Sequence, residues 1–571
     1  MGTRGAIASE HYLSAQVGAD IMKAGGNAVD GAVAATLMES LVNPQMFTLG
    51  GECPILIRPA GTQDVVCING NTAAPGRATP QAFLDRGLND LPPEGILAAG
   101  VPAAFGALVT ALQHHGTMPF AQVSAPAIAY ARGGFPAHKG LIMQPRYGLR
   151  DMAPKMRGEW ASSAEIYLLG GEAPQVGHVL KNPAYADFLE AMGRAESAAG
   201  GGRAAALRAV YAAFYSGDVA SEIAAFSKAA DGLLERTDME AFQTHLETPA
   251  SIDFHGHTVF KCPPWNQGPV MLQTLRILAG HDLRAMGHNS AEYLHTVVEA
   301  VKLAYADREQ YYGDPNQVDV PLEGLLSERY GNTRAALIDP ARANGILRPG
   351  DPATGGALLA DEKILAGRPW GHGTVHVCAI DAEGNMAAFT PSGGWLRSQP
   401  VVPALGFPLS NRMQTFYLGP EHHPNLVAPF RRPRTTISPS LAFKDGAPWT
   451  VFGSMGGDQQ DQWMLQYFLN RAVFDMPLQA AIEAPKFSSE HFPGFFAPHD
   501  HQPNRLRIEA TVPEAVRSEL ETRGHVLDIA GAWSEGYLLA CERNPATGVL
   551  EAGCDPRAEK SEVFPSWALA W

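Results

Sequence analysis

Two β-rich runs, 374–380 (TVHVCAI) and 386–392 (MAAFTPS), flank the five residues Asp381-Ala382-Glu383-Gly384-Asn385. A short connection holding Gly and Asn between such runs predicts an antiparallel hairpin. With the turn centred on Glu383, Thr374 faces Ser392 across the pair. This hairpin also divides the chain. Before it, the stretch 340–373 is rich in Gly, Pro and Ala with weak periodicity and reads as an exposed linker. Upstream of the linker the pattern is mostly helical. Downstream, strand-like pieces such as LAFKDG, WTVFGS and GYLLACER recur to the end. Helices gathered in one part and strands in another predict an α+β layered body.

The helical signals are specific. A helix-like stretch covers 14–24, and a GGNAVD turn leads into a second apolar helix over 28–42, which Asn43-Pro44 stops. Short strands PILIRP and DVVCIN follow. The region from about 100 to 340 reads as helix-rich, and 291–309 (AEYLHTVVEAVKLAYADRE) carries apolar residues at helical spacing. Hydrophobic residues make up 46% of the chain and charged residues 18%, enough to bury a large core. The net charge of −15 argues against a nucleic-acid partner. No apolar run is long enough to predict a membrane span. The start MGTRGAIASEHY lacks the pattern of a secretory signal, so a cytoplasmic location is expected, with a removed leader left open. The six scattered cysteines read as reduced, buried thiols, neither a disulfide framework nor a zinc site.

The hairpin places two hydroxyls side by side at a Gly-Thr junction. A threonine hydroxyl is a weak nucleophile until a base takes its proton. A free α-amine on the same residue would serve, because its pKa lies near neutrality. That requires a chain break after Gly373, where the linker ends His372-Gly373. The competing reading of this junction alone is an ordinary strand start after a loop. A second element, 449–458, runs from a strand into the turn Gly453-Ser454-Met455-Gly456-Gly457-Asp458 and then a helix-like stretch. Backbone N–H groups at such a turn can bind an oxyanion. The turn lacks the endings of a phosphate loop and the GxSxG spacing of a serine hydrolase elbow.

These elements and several longer strings resemble the γ-glutamyltranspeptidase family of N-terminal nucleophile hydrolases. The strings are GAIASEHYLSAQVGADIMKAGGNAVDGAVAA, NPQMFTLGG, TMPFAQVSAPAIAYARGGF, EAVKLAYADREQYYGDP, TVHVCAIDAEGNMAAFT, RRPRTTISPSLAFKDG, GSMGGDQQ and CDPR, spread in order over nearly the whole chain. The resemblance implies a four-layer αββα sandwich, with an autocatalytic break between Gly373 and Thr374. The products would be a large subunit, 1–373, and a small one, 374–571, intertwined as one domain; a dimer of these is left open. Thr374 falls on the family's nucleophile, Ser392 on its supporting hydroxyl, and Gly456 and Gly457 on its oxyanion glycines. Thr435 and Thr436 fall on a serine pair that binds a substrate carboxylate.

Other positions depart from the family. The arginine that grips the α-carboxylate of a γ-glutamyl group is replaced by Asn71, and the asparagine and aspartate that receive the α-amino group by Gly394 and Thr415. A neutral amide cannot supply a guanidinium's charge-assisted grip. The expected activity is therefore cleavage of a small, non-γ-glutamyl amide through an acyl-enzyme on Thr374, with water or an amine as acceptor and no cofactor or metal. Arg434 is a candidate to hold an acidic substrate, against an internal ion pair. His376 is assigned a structural role. His422-His423 and His499-Asp500-His501 read as loop residues. Two alternatives stay open: a conventional γ-glutamyltransferase or glutathione hydrolase, and an inactive family member serving as a binding or scaffold protein.

Overall fold

The computed structural model describes residues 1–358, 373–560 and 564–571. Among them, strands build two large antiparallel sheets. The seven-stranded sheet runs in the order Trp567–Ala570, Gly5–Ser9, Val377–Asp381, Met386–Phe389, Ile55–Arg58, Val66–Asn69, His245–Glu247. The six-stranded sheet runs Leu550–Cys554, Leu538–Arg543, Ala447–Ser454, Ser440–Lys444, His257–Lys261, Ala250–Phe254.

Side-chain alternation sorts these strands into layers. Ala6, Ala8, Leu56, Cys378, Ile380, Met386 and Ala388 point from the first sheet into a shared apolar layer, where Leu441, Val451, Leu539 and Cys541 of the second meet them. The alternate residues Ile7, Ile55, Val377, Ala379 and Phe389 face outward onto one set of helices. Ala442, Phe452, Leu538 and Ala540 face outward onto another. The result is helix, sheet, sheet, helix: the αββα sandwich.

Local chemistry explains the key elements. The helix Ala28–Val42 starts at a capping box between Asn27 and Asp30, is buried on every side, and stops at Asn43 before Pro44. The Ala28 N–H donates to Asp381 Oδ2 at 2.9 Å, tying the helix to the hairpin turn. The helix Ala291–Tyr311 begins on a Ser290 cap. In the hairpin, Val377 pairs with Phe389 and Ile380 with Met386, and an isolated bridge joins Thr374 to Ser392. The pairing matches the register read from the sequence.

Some elements differ from the reading. The strand Gly5–Ser9 is buried throughout, so it shows no polar alternation. The helix-rich middle also supplies the hairpin Ala250–Phe254 and His257–Lys261 to the second sheet. Of the predicted exposed linker, 359–372 lies outside the described residues, His372 included. The part before it is anchored: Gly350 N–H donates to Asp307 Oδ1 at 2.8 Å, and Leu347 joins an apolar core. Of the cysteines, Cys53, Cys67, Cys262, Cys378 and Cys541 are buried free thiols, and Cys554 is half-buried.

The sheets approach closely beside the hairpin. A Cβ on Gly453 would lie 2.2 Å from Nδ1 of His376. Gly453→Ala is therefore expected to lower stability by about 1–3 kcal/mol, read as a fall in the denaturation midpoint. The cost should shrink in a His376→Ala background, and equal midpoints for wild type and Gly453→Ala would contradict this packing.

Candidate active site

Thr374 closes the hairpin at the edge of the inter-sheet layer and is 2% exposed. Its Oγ1 lies 2.7 Å from the carbonyl oxygen of Gly373 and 3.0 Å from Ser392 Oγ. Ser392 Oγ–H donates to the same carbonyl oxygen at 2.6 Å, and the Trp395 indole N–H does so at 3.2 Å. A hydroxyl has one hydrogen and two lone pairs. Ser392 spends its hydrogen on Gly373, so it accepts from its other neighbours.

One of those neighbours is Arg412, whose Nη2 donates to Ser392 Oγ at 2.5 Å. A guanidinium can only donate. It therefore fixes the direction of the Ser392 hydroxyl and leaves a lone pair to receive the Thr374 proton. Arg412 is itself held by Glu52, with Nε 2.5 Å from Oε1. Glu52 also accepts from Thr435 Oγ1 at 3.0 Å, and its backbone pairs with that of Ser392 in both directions. Burial pushes the Glu52 carboxyl up and the Arg412 guanidinium down, and each is countered by the other's charge. A guanidinium stays protonated at ordinary pH, so the two form a buried ion pair.

The Gly-rich turn follows the strand Ala447–Ser454 and precedes the helix Gln459–Ala472. Gly456 has φ 122° and Gly457 φ 59°, left-handed backbone that favours glycine. Among the described residues, neither amide N–H donates to a protein acceptor. Arg308 anchors the turn by pairing with Asp458. A Cβ on Gly457 would lie 3.7 Å from the Phe496 ring, which packs against Trp395, so the turn and the Thr374 junction share one aromatic wall.

The remaining candidates are arranged as follows. Asn71 is buried and donates to the Pro433 carbonyl at 2.6 Å. Arg432 donates to the Asn71 carbonyl and to Asn69 Oδ1. Gly394 presents only backbone, since a Cβ there would lie 2.5 Å from Thr48 Oγ1. Thr415 turns its hydroxyl onto the Arg412 carbonyl at 2.8 Å. Thr436 is buried beside Thr435. Arg434, the candidate grip for an acidic substrate, already holds a carboxylate of the protein: its Nη2 lies 2.9 Å from Glu309 Oε1. Burial pushes Glu309 up, but Arg434 and Arg308 outweigh it and hold the carboxyl down to about 2. The arginine that reaches Thr374's surroundings is instead Arg412.

The His376 ring bonds Thr390 Oγ1 at 3.0 Å, the residue opposite it in the hairpin, and burial pushes it down to about 3 with Lys261 adding to the effect. His423 and His499 stack on the two faces of Tyr417 at 3.7 and 3.8 Å. Sequence reasoning passed over Glu52, Trp395 and Arg412. Glu52 and Trp395 lie in irregular segments beside glycine and Arg412 opens a short 3₁₀ turn, so their only signal is a charged or bulky residue.

The sequence model of the gamma-glutamyltranspeptidase family matches residues 14–564. The chain belongs to the gamma-glutamyltranspeptidase family. A glutathione hydrolase proenzyme of Escherichia coli is 30% identical over 569 residues, covering 97% of this chain and 90% of its own. The solved structure of LmbA2991HD matches with a TM-score of 0.92 at 38% identity, over 100% of this chain and 98% of that one. A cephalosporin acylase from Bacillus halodurans matches with a TM-score of 0.85 at 28% identity, over 100% and 96%. Membership makes this chain an enzyme of the family's hydrolase and acyltransferase kind, an amidohydrolase with an N-terminal nucleophile fold.

The ion pair can be tested apart from the chemistry. Arg412→Gln leaves Glu52 buried without its cation and should cost about 3–5 kcal/mol. The double variant Glu52→Gln/Arg412→Gln removes both charges and should recover much of that stability in a denaturant melt. It still lacks the fixed donor to Ser392, so reaction at Thr374 should stay impaired. A double variant no more stable than Arg412→Gln would show that the pair is not the source of the loss.

Proposed function

We propose that this chain is a self-cleaving threonine amidohydrolase acting on a small amide other than a γ-glutamyl compound. The observation that carries this is the junction itself: a buried threonine hydroxyl, hydrogen-bonded to Ser392, against the carbonyl of the residue before it. Cleavage after Gly373 yields subunits 1–373 and 374–571, which stay together because the first sheet takes central strands from both. The proenzyme relative supports such processing.

In the mature enzyme the Thr374 α-amine is the base. It takes the hydroxyl proton as Oγ1 attacks the substrate carbonyl, while Ser392 and Arg412 hold the hydroxyl in place. The Gly456 and Gly457 amides take up the oxyanion charge. The proton passes to the leaving amine, and water then releases the acyl group from Thr374. Transfer to an amine acceptor is the lesser route.

The substrate reading rests on the residues around the site. Asn71, Gly394 and Thr415 lack the charges that would hold a glutamate α-carboxylate and α-amine, and Arg434 and Thr435 are engaged by Glu309 and Glu52. A missing charge-assisted contact costs roughly 1.5–3 kcal/mol, about ten- to a hundredfold in affinity. The acylase relative supports an acyl-amide substrate. A conventional glutathione hydrolase remains the second reading, favoured by the relative from Escherichia coli.

Amine release from a panel of acyl amides, set beside γ-glutamyl-p-nitroanilide and glutathione, separates these readings. At least one acyl amide should react well and leave an acyl group on Thr374 detectable by mass. Glutathione hydrolysis at about 10⁴ M⁻¹s⁻¹ or above would overturn the substrate reading. The kcat/KM profile should rise through a group near pH 7.7–8.0, the ordinary range of an α-amine. His376 is already neutral well below that range, because burial pushes it down to about 3. The rising limb should therefore persist in His376→Gln, and its disappearance would move the base to the imidazole.

A further inference from the structure

The Gly373 carbonyl oxygen accepts from Ser392 Oγ at 2.6 Å and from Trp395 Nε1 at 3.2 Å, with the attacking Thr374 Oγ1 2.7 Å away. A planar carbonyl oxygen has two lone pairs and is satisfied by two donors. Ser392 and Trp395 fill both places, and they face the oxygen that becomes an oxyanion. We propose that Trp395 is a catalytic residue of self-cleavage, its indole N–H holding the oxyanion that forms on Gly373. This rests on the self-cleaving reading above.

Two features separate Trp395 from an incidental neighbour. The first is direction. The two hydroxyls can rotate, and the Thr374 proton must leave its oxygen during attack. An indole N–H is a donor only, so it points at Gly373 throughout. The second is fit. A Cβ on Gly373 would lie 2.5 Å from Trp395 Cε2 and 2.6 Å from Nε1. The residue before the nucleophile is thus glycine because the indole lies flush against it.

The indole is held for this task. Trp395 is 1% exposed and meets the Tyr147 ring edge-on at 5.9 Å. The Arg397 guanidinium lies 5.0 Å and that of Arg412 5.5 Å from its ring. These cation–π contacts help fix the ring in place.

The step balances. Thr374 Oγ1 attacks the Gly373 carbonyl carbon, and the carbonyl π pair moves onto the oxygen between Trp395 and Ser392. The tetrahedral species collapses, the Gly373–Thr374 C–N bond breaks, and the hydroxyl proton, relayed through Ser392, ends on the Thr374 nitrogen. Water then cleaves the new ester, leaving a Gly373 carboxylate and restoring the Thr374 hydroxyl beside its free amine.

The test is the first-order rate at which purified full-length precursor becomes two bands on a denaturing gel. Trp395→Phe keeps a ring and removes the N–H. β-(3-Benzothienyl)alanine placed at 395 by codon suppression keeps the bicyclic shape and removes only the N–H. Loss of one oxyanion donor costs about a hundred- to a thousandfold in rate, so both variants should mature at least a hundredfold more slowly than wild type. The melting temperature of the benzothienyl variant should match that of an equally unprocessed Thr374→Ala chain. If wild type is cleaved and the folded benzothienyl variant matures within twofold of its rate, the role of Trp395 is overturned while self-cleavage stands. A wild-type chain that never cleaves overturns both.

Discussion

The Glu52–Arg412 pair carries two charges into a place where both are almost completely screened from water. Burial alone would penalise each of them, and breaking such a pair leaves an uncompensated charge in the interior. A buried ion pair is a poor device for stability, since well-packed apolar residues often do as well. What it supplies here is direction. A donor-only guanidinium next to Ser392 dictates which way that hydroxyl points, and Ser392 in turn faces Thr374. Thr435 completes the carboxylate's hydrogen bonds, so a residue from the far part of the chain is drawn into the same network.

The network has its effect because the sandwich holds it still. Thr374 stands at the end of a strand whose even-numbered residues face the second sheet and whose odd-numbered residues face helices. The sheets come so close that His376 leaves no room for a side chain at Gly453. That contact brings the strand leading to the Gly456–Gly457 turn against the strand leading from Thr374. The nucleophile and the turn therefore stand at the ends of two strands packed face to face, positioned by regular elements rather than by loops alone.

Much of this was legible in the sequence where short-range rules govern. The hairpin register followed from a turn containing Gly and Asn and from two β-rich runs, and it set Thr374 opposite Ser392. The helix Ala28–Val42 was bounded by residues whose capping and stopping effects are local. Glu52 and Arg412 escaped because nothing in their neighbourhoods announces a partner 360 positions away. Trp395 escaped for the same reason: its contact with Gly373 depends on how the segment after Ser392 folds back. Arg434 shows the converse. It was singled out as an unusual charge beside a hydroxyl pair, and its partner, Glu309, lies on a helix that the sequence placed elsewhere. The strand Gly5–Ser9 was missed because a strand buried on both faces has no alternation to read.

The central claim is that Thr374 becomes a free N-terminus by its own action. Intact mass measurement of the purified full-length protein, repeated on Thr374→Ala made in the same way, tests it most directly. The account predicts two wild-type species, the smaller with the mass of 374–571 and the sequence Thr-Val-His-Val at its start, and one unbroken species for Thr374→Ala. An unbroken wild-type chain that nonetheless hydrolyses amides, or a break at another bond, would contradict it.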